Sequence, residues 1–101
     1  MEIHEFSSLP ELRDKLDKLK TEIATGIFHD YLGNEVPIHN PRLRELLSKA
    51  CAANWKCHVA YASGYTKLAD ELFAEYREAS QAIYDGNFTD HEKMLAWEVM
   101  D

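Results

Sequence analysis

The apolar residues near the amino terminus recur at spacings of three and four. The first series is Leu9, Leu12, Leu16, Leu19 and Ile23. Such spacing lines one side of a helix and forms a seam for packing on a neighbour. Ser8 with Glu11 three residues later is a capping box, and Pro10 is tolerated in a first helical turn. We therefore predict a helix over about residues 9–30, followed by a loop around Pro37.

A second start signal is Asn40-Pro41, a capping residue followed by proline at the first helical position. From there the helical spacing continues through Tyr65 and resumes to Ile83 without an obvious change of phase. One helix over this length would span about 65 Å, against a radius of gyration near 13 Å for a domain of this size. We therefore predict a break near Gly64, with helices over about 41–62 and 66–84.

The carboxyl-terminal segment carries its own stop and start signals. Gly86 suits a left-handed cap that ends the third helix. Thr89 and Glu92 form a second capping box, which predicts a short helix over about 90–99 with Trp97 holding it to the core. We predict a single domain over residues 1–101, all-α, built as an antiparallel bundle of three main helices plus a short C-terminal helix.

Small residues also recur along the second predicted helix. Ala53, Cys57, Ala60 and Gly64 follow one another at helical spacing. Small side chains in register let two helix backbones approach closely, so this stripe should face another helix. The stripe and the long helical pattern offer more apolar surface than three short helices need. We therefore expect a homodimer.

Composition and charge narrow the classes of partner. The chain is 46% hydrophobic and 29% charged, which is typical of a globular domain, and its net charge is −7. The charge is uneven, because residues 41–65 carry four bases and one acid between two acidic flanks. An acidic total argues against direct nucleic-acid binding and favours a protein partner with a basic surface. Without an apolar run of membrane-spanning length or a secretory signal pattern, we expect a cytoplasmic protein that engages no membrane.

Residues that often carry chemistry are present but scattered. The five histidines form no pair at i, i+4, and neither cysteine belongs to a Cys-x-x-Cys pair, so we expect no metal site and no cofactor. Cys51 and Cys57 point to different sides of one helix and are interpreted as free, buried thiols. Cys51 and His58 share a face but lie about 10 Å apart along it, too far for proton transfer.

The most distinct acidic pattern is Glu71, Glu75 and Glu78, aligned on one side of the third predicted helix. Aligned carboxylates can hold a divalent cation. The pattern is similar to that of the all-helical nucleotide pyrophosphohydrolases, in which acidic residues of two helices bind magnesium for diphosphate cleavage. That resemblance implies roles for the three glutamates, with Glu98 and Asp101 as the second pair. Glu75 departs from the family's offset, and a solvated acidic face is the alternative interpretation.

Two further groups are candidates for binding. Arg42 and Arg44 lie in the first turn of the second predicted helix, where unpaired N–H groups attract anions, so a small anionic ligand could be sequestered there. Trp55 beside Lys56 is a candidate interface anchor, with a buried tryptophan as the alternative.

These observations favour a non-catalytic protein-binding module, a small acidic helical inhibitor, adaptor or regulator that docks on a larger macromolecule. Its predicted partner-binding residues are Glu71, Glu75, Glu78, Trp55 and Lys56. The alternatives are the magnesium-dependent pyrophosphohydrolase and the sequestration of a small anionic ligand at Arg42 and Arg44. The sequence contains no recognisable set of catalytic residues.

Overall fold

The computed structural model of the chain describes residues 10–100. They form α1 (Pro10–Thr25), β1 (Ile27–His29), β2 (Glu35–Pro37), α2 (Pro41–Ala62), α3 (Thr66–Asp85) and α4 (Asp90–Met100). The predicted all-α architecture, with three main helices and a short C-terminal one, is confirmed. The predicted capping residue Ser8 lies outside the described residues. Among the helices of residues 10–100, none combines the length and the apolar composition that a membrane span requires.

The first helix ends at Thr25, and the predicted extension to residue 30 is wrong. Gly26 takes a positive φ of 77°, which turns the chain out of the helix. Residues 27–29 then pair antiparallel with residues 35–37, with Phe28 opposite Val36 and both side chains buried. A three-residue strand is too short for its alternation to stand out beside the helical pattern that precedes it.

The turn of this hairpin is organised by Asp30. Its carboxylate accepts hydrogen bonds from the backbone N–H groups of Leu32 and Asn34, both at 2.9 Å. These hydrogen bonds hold the pKa of Asp30 below its ordinary value, and the bond from the Asn34 backbone has the largest effect. The hairpin closes against the end of α1 through a 2.7 Å hydrogen bond from the Ile38 N–H to the Gly26 carbonyl.

The two central helices form a helical hairpin joined by residues 63–65. Asn40 caps α2, since its side-chain oxygen accepts hydrogen bonds from the N–H groups of Arg42 and Leu43. Gly64 has a φ of 86°, which ends the helical path that the apolar spacing leaves open. The predicted break is confirmed, and no rod-like helix from residue 41 to residue 84 forms.

Close packing of α2 on α3 explains the stripe of small residues. Ala53, Cys57 and Ala60 are buried, whereas Gly64 lies exposed in the turn. The Cys57 thiol donates to the carbonyl of Ala69 at 3.3 Å, a contact that a bulkier pair of side chains would prevent. The small residues are therefore used within one chain to bring two helices together.

The last helix packs on the rest through Ala96 and Met100, which are buried. Trp97 is 53% exposed, so the prediction that it holds the carboxyl end to the core is wrong. The predicted left-handed conformation of Gly86 is also wrong, because its φ is −74°. Glycine is favoured at this position for a steric reason, since a Cβ atom would clash with the Phe88 ring and with the Ala82 carbonyl.

The buried apolar residues between positions 10 and 100 form two clusters, and Trp55 packs against both. The larger lies between the hairpin, α2, the end of α3 and α4, and includes the fully buried Phe28 and Ile83. The smaller surrounds the α2–α3 turn and includes Leu12 of α1. Trp55 is half-buried and packs against both, so it lies where the two clusters meet.

Candidate functional site

A cavity of about 320 Å³ opens between α1, the hairpin and α2, and is bordered by Tyr76 of α3 and by Val99 and Met100 of α4. Its size is at the lower end of the range for small-molecule sites in proteins. Helical spacing supplies the walls, because Lys15, Lys18 and Glu22 lie on one side of α1 and Cys51 and Asn54 on one side of α2. The cavity is therefore a product of packing and joins residues that are far apart in the sequence.

The buried acid in this cavity is Glu22, which sequence analysis did not single out. Glu22 is 5% exposed, whereas the neighbouring Ile23, which the apolar spacing places in the seam, is 37% exposed. The inward stripe of α1 thus runs through Leu12, Leu19 and Glu22. An acid three residues after a core leucine was the available signal, and it resembles ordinary surface charge unless the rotation of the helix is known.

The Glu22 carboxylate has one side-chain partner among the described residues. The Nδ1–H of His29 donates to its Oε2 at 3.2 Å. No buried side-chain nitrogen or oxygen within residues 10–100 lacks a hydrogen-bond partner. Glu22 lines the cavity, and its Oε1 is the carboxylate oxygen that His29 does not bind.

A second wall residue, Cys51, is held as a thiol. Burial, together with the nearby charge of Glu22, raises the pKa of Cys51 to about 12. The nucleophilic form of cysteine is the thiolate, which is scarce at neutral pH when the pKa is this high. Cys51 therefore contributes a small apolar surface to the cavity wall. His58, seven residues later on α2, is exposed.

Aromatic and cationic groups complete the cavity. Trp55 and Tyr76 line it from two helices. The Nζ of Lys15 lies 5.7 Å from the centre of the Trp55 ring, within the range of a cation–π contact. Lys15 and Lys18 are exposed, so their ammonium groups remain in solvent at the rim. The cavity thus combines a deep carboxylate, flat apolar walls and positive charge at the surface.

The predicted acidic residues lie elsewhere. Glu75 and Glu78 border a groove between α2 and α3 that Arg42 and Lys49 line from the other side. Glu71 is exposed on α3 and does not line this groove. Within residues 10–100 no three His, Cys, Asp or Glu side chains converge closely enough to hold a metal ion.

The two arginines at the start of α2 have different surroundings. Arg42 is exposed and pairs with Glu45 at 3.3 Å. Arg44 is half-buried, and its Nε donates to the carbonyl of Ile38 while its guanidinium lies over Gly26. Arg44 is therefore engaged in holding the hairpin against α2, and the two side chains do not converge on one point.

The predicted interface pair was Trp55 with Lys56. Trp55 lines the cavity, and the cation that lies over its ring is the ammonium group of Lys15. Lys56 is half-buried on α2.

Another set of large apolar side chains is exposed on α3 and α4. We call it the aromatic face, and it consists of Phe73, Tyr84, Met94 and Trp97. Phe73 and Tyr84 lie on the same side of α3, eleven residues or about three turns apart. The Tyr84 and Trp97 ring centres are 6.2 Å apart, which joins the two helices at the surface. Desolvation by burial raises the pKa of Tyr84.

Comparison of the chain with family models, with curated proteins and with solved structures finds no match. The cavity and the aromatic face are the two candidate sites of this molecule.

Proposed function

We propose that this protein is a binding module that docks on another protein through the aromatic face. The observation that carries the proposal is the exposed Tyr84–Trp97 pair, with Trp97 more than half exposed. Tyrosine and tryptophan are the side chains most often found as anchors in protein interfaces, since they bury a large area at a low cost in conformational entropy. Two such side chains exposed side by side, as Tyr84 and Trp97 are, also favour an interaction site.

The partner that suits this face has an apolar groove with a basic rim. Exposed acids follow both members of the aromatic pair in the sequence, Asp85 after Tyr84 and Glu98 after Trp97. The ammonium group of the nearby Lys93 donates a hydrogen bond to the Tyr84 carbonyl at 2.8 Å, so Lys93 is already engaged within the chain. With a net charge of −7, the protein would attract a basic surface over distances set by the ionic strength.

The predicted homodimer is a competing use of the same face. Two copies of a chain with a net charge of −7 would bring like charges together, which disfavours a second copy relative to a basic partner. Three of the four small residues that motivated the dimer, Ala53, Cys57 and Ala60, are already buried within the chain. We therefore propose a different protein as the occupant.

The test compares two single substitutions of exposed aromatic residues. Trp97→Asp places a charge in the aromatic face, while Tyr61→Asp makes the matched change on an exposed tyrosine near the end of α2. A purified basic partner recovered with the wild-type chain should bind Tyr61→Asp equally and Trp97→Asp about 30-fold more weakly, as expected for the loss of an interface anchor. Calorimetry measures the affinities, and circular dichroism checks that both variants are folded.

Added salt should weaken the wild-type complex, because part of the attraction is between exposed charges. A partner that binds Trp97→Asp as tightly as the wild type would contradict the proposal. So would a mass of twice 11.7 kDa in light scattering that Trp97→Asp reduces to 11.7 kDa, since the face would then belong to a second copy.

A further inference from the structure

We propose that the cavity beside Glu22 binds a small planar heterocycle that has adjacent N–H donors at one edge and an anionic group at the other end. The chemistry is that of a 2-amino-4-oxopyrimidine ring, which occurs in guanine nucleotides and in pterins. This site is separate from the aromatic face, and the proposal is independent of protein docking.

The deep end of the cavity selects for hydrogen-bond donors. A buried ionised carboxylate is an acceptor only, and it is costly to bury unless donors approach it. His29 donates to Oε2 of Glu22, which leaves Oε1 of this cavity-lining side chain to accept from a ligand. Two adjacent N–H groups on one ring edge match a carboxylate in the way that a guanidinium does. A ligand edge with acceptors there would meet repulsion.

The walls select for a flat ring. Trp55 and Tyr76 reach the cavity from α2 and α3, and Cys51 stays uncharged there. An aromatic heterocycle gains from contact with such side chains by stacking and by the displacement of water. Asn54, also in the wall, offers an amide that can both donate and accept.

The rim selects against a simple cation and for a negative group. Lys15 and Lys18 are neighbours on α1 and keep their ammonium groups at the surface. Asp30 also borders the cavity, but its carboxylate already accepts hydrogen bonds from the hairpin turn. An amine or polyamine attracted by Glu22 would have to pass the two lysines, whereas a phosphate or carboxylate tail would pair with them.

The experiment uses three probes: guanosine monophosphate, pterin-6-carboxylate and adenosine monophosphate. Binding is followed by calorimetry and by the fluorescence of Trp55, in a Trp97→Phe background so that one tryptophan remains. The first two probes separate the possible sources of the heterocycle. Adenosine monophosphate has the same phosphate but lacks the pair of adjacent donors, so we expect it to bind at least about tenfold more weakly.

Substitution of Glu22 gives the sharpest result. Gln keeps the shape of the side chain and can still accept from His29, but it offers a donor and an acceptor in place of two acceptors. Glu22→Gln should weaken guanosine monophosphate or pterin binding by about tenfold or more and improve the relative affinity for adenosine monophosphate, whose edge suits an amide. A purely structural role for Glu22 would weaken all three probes alike.

The lysines provide a matched pair on one helix. Lys18→Glu reverses a charge at the rim, and Lys20→Glu makes the same change on an exposed residue outside the cavity. We expect the first to reduce the affinity severalfold and the second to leave it unchanged, even if Glu22→Gln fails to fold. The proposal is overturned if no probe binds saturably up to about 1 mM, if adenosine monophosphate binds as well as the other two, or if Lys18→Glu and Lys20→Glu are equivalent.

Discussion

Gly26 determines how α1 passes into the hairpin. It does so by its positive φ and by having no side chain where Arg44 packs against it. Its φ of 77° is one that side chains with a Cβ atom adopt at a cost, and the guanidinium of Arg44 occupies the position where a Cβ would lie. The same arginine reaches the Ile38 carbonyl. One glycine and one arginine thus fasten the hairpin that forms a wall of the cavity.

Gly26→Ala should therefore lower the free energy of unfolding by more than the cost of a positive φ alone. Gly33→Ala is the matched control, since Gly33 has a φ of 86° and no atom within 4 Å of an added Cβ. We expect losses of about 2–3 kcal/mol for Gly26→Ala and about 1 kcal/mol for Gly33→Ala, measured by urea denaturation. Equal losses would mean that Arg44 simply moves aside.

Among the elements, α4 begins with a capping box formed by Thr89 and Glu92. The N–H of Glu92 donates to Thr89 Oγ1 at 3.0 Å, and the N–H of Thr89 donates to Glu92 Oε1 at 2.9 Å. This reciprocal pair satisfies two backbone donors that a helix start leaves open. The hydrogen bond from the Thr89 backbone, followed by one from the Asn40 side chain, holds the pKa of Glu92 below its ordinary value.

Because the pKa of Glu92 is lower in the folded state than in the unfolded state, the free energy of unfolding depends on pH. The ionised Glu92 stabilises the folded state above the unfolded-state pKa of 4.5, and this contribution is lost as the pH falls through the lower folded-state pKa. Glu92→Gln should therefore lower the melting temperature at pH 7 and have a smaller effect below pH 4. Glu98→Gln removes the same charge outside the capping box and is the control. A constant difference across this pH range would contradict the prediction.

For the molecule as a whole, the reactivity of the two buried cysteines measures how often the core opens to solvent. Cys51 and Cys57 are free and buried in different clusters. A buried thiol reacts with a solvent reagent only when the structure opens around it. The raised pKa of Cys51 further reduces its thiolate fraction at neutral pH.

Ellman's reagent should therefore label the native protein far more slowly than the unfolded chain. A Cys57→Ala variant isolates Cys51, and its labelling rate should rise in parallel with the unfolded fraction as urea is added. Saturating ligand in the cavity should slow the reaction further, because binding stabilises the closed state. Complete labelling within seconds at pH 7.5 without urea would show that the cavity wall opens freely.

The starts of α2 and α4 and the break between α2 and α3 were predictable from the sequence, because their signals are local. Asn40 and Thr89 cap the helices that follow them, and the apolar spacing marks α2 and α3 on either side of Gly64. The tertiary structure alone decided the rotation of α1, the short hairpin and the exposure of Trp97. Whether Glu22 or Ile23 is buried depends on which neighbour covers each side, and helical periodicity leaves adjacent positions nearly equivalent. The cavity could not be predicted for the same reason, since its walls come from segments that only packing brings together.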